Sequence, residues 1–154
     1  MARLNNMTPI NPVLWVTGED YELLSSTQVR PEFVGEKAFG LASLPSKWTL
    51  PFFVISDAML KTYKTYETLE ILQDAWGNGI IKAAEACGIK QGDEIIVRSN
   101  ADTEGLSDRG KYISAEGKLE AWPNLIKDCF DDLIAQEDGH DVFMPLIVQK
   151  RVTP

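Results

Sequence analysis

Arg98 ends an apolar run, Glu94-Ile95-Ile96-Val97, and opens a polar loop, Ser99-Asn100-Ala101-Asp102-Thr103-Glu104-Gly105. A guanidinium is always charged and offers a fixed fork of donors that matches phosphate oxygens. An arginine delivered by a buried strand into such a loop suits an anion-binding site. Lys37 is the second candidate cation. It follows Gly35-Glu36 and precedes Ala38 to Leu44, which carries apolar residues at helical spacing. A lysine at a helix entrance meets an anion together with free backbone N–H groups. Both residues also have plainer readings: a strand-end arginine can make a structural ion pair, and most lysines are solvated.

Other reactive side chains point to less. Asp128, Asp131 and Asp132 form an acidic cluster, but on a helix they read as a solvated face rather than a metal site. His140 stands alone between Gly139 and Asp141, without zinc-ligand spacing. Cys87 and Cys129 lie in apolar helical patterns and read as small core residues of a cytoplasmic protein.

Composition narrows the function classes. The chain has 154 residues, 44% of them hydrophobic, which is enough for one domain with a core. Its net charge is -8, with a pI near 4.6. Nucleic acid and anionic membrane surfaces both need a positive footprint, so neither is an expected partner. ATP is not excluded, because a few local cations can hold a phosphate chain on an acidic protein. The N-terminus leads into no long apolar run, so neither a signal peptide nor a membrane span is expected.

The elements that must position these residues can be read in order. Residues 1–12 form a loose lead-in with Pro9 and Pro12, and 13–154 a single domain. Val13–Val16 is a strand closed by Thr17-Gly18, and Tyr21–Leu24 a short helical turn. Phe52–Ser56 is a core strand, with Ser56 capping the helix that follows. Met59, Tyr63, Tyr66, Leu69, Leu72 and Trp76 make one helical face, broken or not near Thr65, an aromatic stripe of core type. Gly77-Asn78-Gly79 reads as a turn, and Ile80–Cys87 as a helix stopped by Gly88. The central strand, Glu94–Arg98, follows. Leu119–Gln136 is the clearest helix, with Pro123 in its first turn, and Val142–Val152 is a final strand.

Three segments, in order, carry a family resemblance. Val97-Arg98-Ser99-Asn100-Ala101-Asp102-Thr103-Glu104-Gly105-Leu106 resembles V-R-S-S-A-x-x-E-D-L of the nucleotide-binding domain of phosphoenolpyruvate synthase and pyruvate phosphate dikinase. Gly35-Glu36-Lys37 with Leu41 resembles its G-G-K-x-x-x-L motif, with Leu50–Ser56 resembling P-P-G-F-V-I-T just beyond. Leu146-Ile147-Val148-Gln149-Lys150-Arg151-Val152 resembles V-L-V-Q-x-M-V. Glu36, Phe52 and Gly105 replace residues that the family prefers.

The resemblance implies an α/β (α+β) fold: the first lobe of an ATP-grasp domain, a mixed or antiparallel sheet with flanking helices. It implies ATP as ligand, with Lys37 and Arg98 on the phosphates. Ser107 and Gly110 of the following loop, beside Arg109 and Lys111, would fold over those phosphates. Gln149, Lys150 and Val152 would meet the adenine edge, mainly through backbone groups. No counterpart is seen of the family's second lobe, phosphorylated-histidine domain or pyruvate-binding barrel. Magnesium is therefore expected only where another lobe supplies its ligands, and phosphoryl transfer should be inefficient without metal and nucleophile. Three functional readings follow. One is the ATP-binding portion of a dikinase-like phosphotransferase, completed by another protein chain. The second is a non-catalytic interaction or regulatory module derived from that lobe. The third is an unrelated α+β protein with a chance likeness.

Overall fold

The computed structural model describes residues 10–99, 113–137 and 144–152. They form a six-stranded mixed sheet in the order β2-β1-β3-β6-β4-β5, with helices on both faces. The strands are β1 Val13–Val16, β2 Tyr21–Leu24, β3 Phe52–Ile55, β4 Glu94–Ser99, β5 Ser114–Lys118 and β6 Leu146–Lys150. The helices are α1 Pro31–Val34, α2 Glu36–Ala42, α3 Ala58–Tyr66, α4 Leu69–Cys87 and α5 Trp122–Glu137. β1 and β3 are parallel, and the other pairs are antiparallel.

Successive strand residues point to opposite faces of a sheet, and the core divides accordingly. One face buries Val16, Phe53, Ile55, Ile95, Val97, Leu146 and Val148 under α3, α4 and α5. The other buries Val13, Trp15, Val54 and Ile147 with Val34, Ala38 and Ala42 of α1 and α2. Each apolar side chain fully buried in this way is worth roughly 1.5–3 kcal/mol. The run Leu146-Ile147-Val148 is buried on both sides, as suits an interior strand.

Several expectations are corrected. Tyr21–Leu24 is a strand, not a helical turn; it pairs antiparallel with β1 and forms one edge of the sheet. β4 is fifth in the sheet order rather than central. Gly77-Asn78-Gly79 is not a turn but lies within α4. A Cβ on Gly79 would stand 2.2 Å from the Gly18 carbonyl oxygen and 2.9 Å from that of Asp20. Glycine there lets the helix lie directly on the β1–β2 turn, and this close contact outweighs its poor helix propensity. The aromatic stripe, whose spacing leaves a break near Thr65 open, is broken just beyond that residue and belongs to two helices. Glu67, with φ 52°, ends α3, and the Thr68 side chain accepts a hydrogen bond from the Ile71 N–H to cap α4. Tyr63 and Trp76 are buried, whereas Tyr66 is 60% exposed. Ser56 sits one residue before the N-cap, Asp57, though its hydroxyl accepts from the Ala58 N–H. The final strand is shorter than expected, beginning at Leu146 after Pro145.

Candidate functional site

Arg98 is half-buried near the end of β4. Ile95 and Val97 belong to the core beneath α3, α4 and α5, so Arg98 points to the opposite face, the one that α1 and α2 pack on. Its cross-strand neighbour is Ile147, which is opposite Val54, which in turn is opposite Trp15. That row ends under the α1–α2 layer. The face is apolar at β1 and β3 and becomes polar toward β5, where Ser114 and Glu116 are exposed.

The Arg98 guanidinium reaches diagonally to β6, donating from Nη2 to Gln149 Oε1 at 2.7 Å. Gln149 in turn donates from Nε2 to the Leu50 carbonyl oxygen at 3.2 Å. Gln149 is buried, with 7% of its surface exposed. Arg98 Nε is also buried and has no hydrogen-bond partner. An exposed carboxylate on the β5 side of this face, Glu116, lies 3.6 Å from Arg151 Nε.

Lys37 is exposed in the first turn of α2. Gly35, with φ 94°, makes the turn between α1 and α2, a conformation that favours glycine. Ala38 and Ala42 hold α2 against Val13, Trp15 and Val54. The helix carrying Lys37 and the strand residue Arg98 therefore share one face of the sheet. Glu36, exposed beside Lys37, brings a carboxylate to the same helix turn.

The remaining candidates are distributed as follows. Lys150 is half-buried at the end of β6; its N–H donates to Pro51 O at 2.9 Å and its ammonium lies 3.6 Å from Asp93. The Arg151 N–H donates to Glu94 O at 2.8 Å. These two backbone donors are thus committed to the sheet, and the adjoining Val152 is 61% exposed. Ser107 and Gly110, with Arg109, Lys111 and His140, lie outside the described residues.

The acidic cluster on α5 has internal partners. Asp131 accepts from the Tyr63 hydroxyl at 2.5 Å and pairs with Lys127 at 2.6 Å. Burial, reinforced by Asp131, pushes the Tyr63 phenol above its usual value. Asp132 accepts from the Ile113 N–H and from Gln136. These carboxylates tie α5 to α3 and to the start of β5, a role that spacing on one helix could not reveal. Among the described residues, no three His, Cys, Asp or Glu side chains gather as a metal cluster, and no helix is long and apolar enough to cross a membrane. Cys87 and Cys129 are free thiols.

A separate cavity of about 220 Å³ opens beside the starts of β1 and β3, lined by Val13, Leu14, Leu41, Phe52 and Cys87 among others. It has no charged lining residue and does not include Lys37 or Arg98. The Arg98–Gln149 bond is the site feature that sequence reading missed. Its signal in the sequence is only a glutamine closing an apolar strand, which the resemblance assigns to the adenine edge rather than to Arg98. Comparison with known proteins finds no matching family model, curated protein or solved structure.

Proposed function

We propose that this chain binds the phosphates of ATP on the α1–α2 face of its sheet, with Lys37 and Arg98 as the cations. In this reading it is the nucleotide-holding first lobe of an ATP-grasp phosphotransferase resembling phosphoenolpyruvate synthase and pyruvate phosphate dikinase. The observation that carries the reading is the common face shared by α2 and Arg98. A guanidinium and an ammonium on one face suit a polyphosphate because each opposes a different part of its charge. Adenine would lie at the end of β6, against the exposed Val152. Magnesium and the phosphoryl acceptor would come with a further lobe, and without them the chain holds ATP rather than turning it over.

The test is competition. With a fluorescent ATP analogue bound, tripolyphosphate should displace it and adenosine should displace it far less well. Displacement by adenosine alone would refute a phosphate-centred site.

A second reading, a non-catalytic interaction module, draws on one observation. Leu44, Trp48 and Leu50, which are 40%, 70% and 40% exposed, all lie in the connection from α2 to β3. Exposed apolar surface of this kind suits a protein partner. Sedimentation of the protein in native extract separates the readings: a strictly monomeric, partner-free species counts against the module.

A further inference from the structure

We infer that Gln149 is a positioning residue: it fixes the orientation of the Arg98 guanidinium without cancelling its charge, and so sets the affinity of the site for a polyphosphate. This rests on the nucleotide reading of Arg98 given above.

The orientation of the Gln149 amide is dictated by its neighbours. A guanidinium has donors only and a carbonyl oxygen accepts only. The amide oxygen must therefore face Arg98 and the amide nitrogen must face Leu50 O, as their 2.7 Å and 3.2 Å separations require. Both ends of the side chain are fixed, and the residue is 7% exposed. The amide is thus a rigid bracket between the β3 entrance and β4, and not a solvated strand terminus.

Chemistry explains why glutamine serves here. The preceding residues, Leu146-Ile147-Val148, are buried and apolar, and another apolar residue would continue that strand without desolvating an amide. A glutamate would also bond Arg98, but it would neutralise the cation and turn a second acceptor toward Leu50 O. A neutral amide orients the guanidinium and leaves its charge for an external anion. Among the described residues, a neighbouring carboxylate on this face, Glu116, lies against Arg151 instead. The unpartnered Arg98 Nε fits the same picture, because the arrangement does not satisfy every donor of the guanidinium internally. On a chain with a net charge of -8, a local cation kept at full charge matters for binding any phosphate.

The test combines NMR of the arginine side chains with calorimetry of ATP and magnesium, on wild type, Gln149→Met, Gln149→Glu and Arg98→Lys. In wild type, Arg98 should give resolved, slowly rotating Nη–H resonances, identified by their loss in Arg98→Lys. In Gln149→Met those resonances should average while the backbone fingerprint persists, and ATP affinity should fall about tenfold, as for loss of a charge-assisted hydrogen bond. Gln149→Glu should keep the ordered resonances and still lose at least as much affinity. Averaged Arg98 resonances in wild type overturn the inference whatever the variants do. ATP binding in wild type that is unchanged in Gln149→Met overturns the positioning role and leaves the nucleotide reading standing. Absence of ATP binding in wild type overturns both.

Discussion

Arg98 and Gln149 are not cross-strand partners: Arg98 lies opposite Ile147, and Gln149 lies opposite Ile96. Their bond runs diagonally across the β4–β6 pair, a distance that long side chains can span. It joins residues 51 positions apart. It also ties the candidate cation to the backbone at Leu50, where the chain enters β3.

Two glycines in one helix should respond in opposite directions to alanine. Gly79→Ala places a Cβ into the Gly18 and Asp20 carbonyl oxygens and should cost roughly 3 kcal/mol, since backbone must shift. Gly77→Ala meets Trp122 Cζ2 at an ordinary 3.6 Å and should stabilise by about 0.5–1 kcal/mol through helix propensity. Urea unfolding midpoints check both. Equal effects would mean that α4 does not lie against the β1–β2 turn.

This contrast also explains what was legible in the sequence. β1, β3 and β4 could be read because their apolar runs are bounded by turn residues. α5 could be read because its apolar rows repeat at helical spacing, and Gly88 stops α4 with φ 91°, as its position suggested. Gly77-Asn78-Gly79 reads as a turn because glycine is ordinarily punctuation, whereas the glycine at 79 is there for a contact with residues of another element, and Gly77 is simply tolerated within the helix. Tyr21–Leu24 was misread because an edge strand with Leu23 61% exposed shows no clean alternation. The Arg98–Gln149 bond depends on β6 lying beside β4, and no local pattern encodes that neighbour.

Acid should weaken the fold through two carboxylates at the base of β4. The Lys90 N–H, with the Lys150 ammonium adding to it, holds Asp93 below its ordinary 3.8. The Gly92 N–H holds Glu120 below 4.5. Because both are depressed in the folded state, the unfolded chain takes up these protons first. Their contribution is present above those ordinary values and is lost as pH falls through the folded ones. The urea midpoint should hold level above about pH 5 and drop below it. The double variant Asp93→Asn, Glu120→Gln should show a shallower drop between pH 5 and pH 3; an unaltered slope would contradict the assignment.

The Tyr63 hydroxyl should matter more than a surface group, since the ring is buried and its bond goes to a carboxylate. Tyr63→Phe should cost about 1–2 kcal/mol, allowing for the partial exposure of Asp131. Asp131→Asn in the Tyr63→Phe background should add less than it does alone. Additive losses in this double-mutant cycle would mean that the two groups do not interact.

The two thiols should differ in reactivity. Burial, with Asp128 nearby, pushes Cys129 up to about 12 and leaves it almost no thiolate at neutral pH. Burial also raises Cys87, but that residue is half-exposed. In native protein at pH 8, a thiol reagent should label Cys87 first, with Cys129 reacting only on unfolding. Mass spectrometry of digests decides this, and faster labelling of Cys129 would contradict its burial against β4.

The central claim is that Lys37 and Arg98 together hold a phosphate chain, and titration calorimetry with ATP and magnesium tests it most directly. Wild type should give a binding heat that weakens as salt rises. Lys37→Ala and Arg98→Ala should each lower affinity by tenfold or more, in line with loss of a charge-assisted hydrogen bond. A heat that survives both substitutions unchanged would contradict the account.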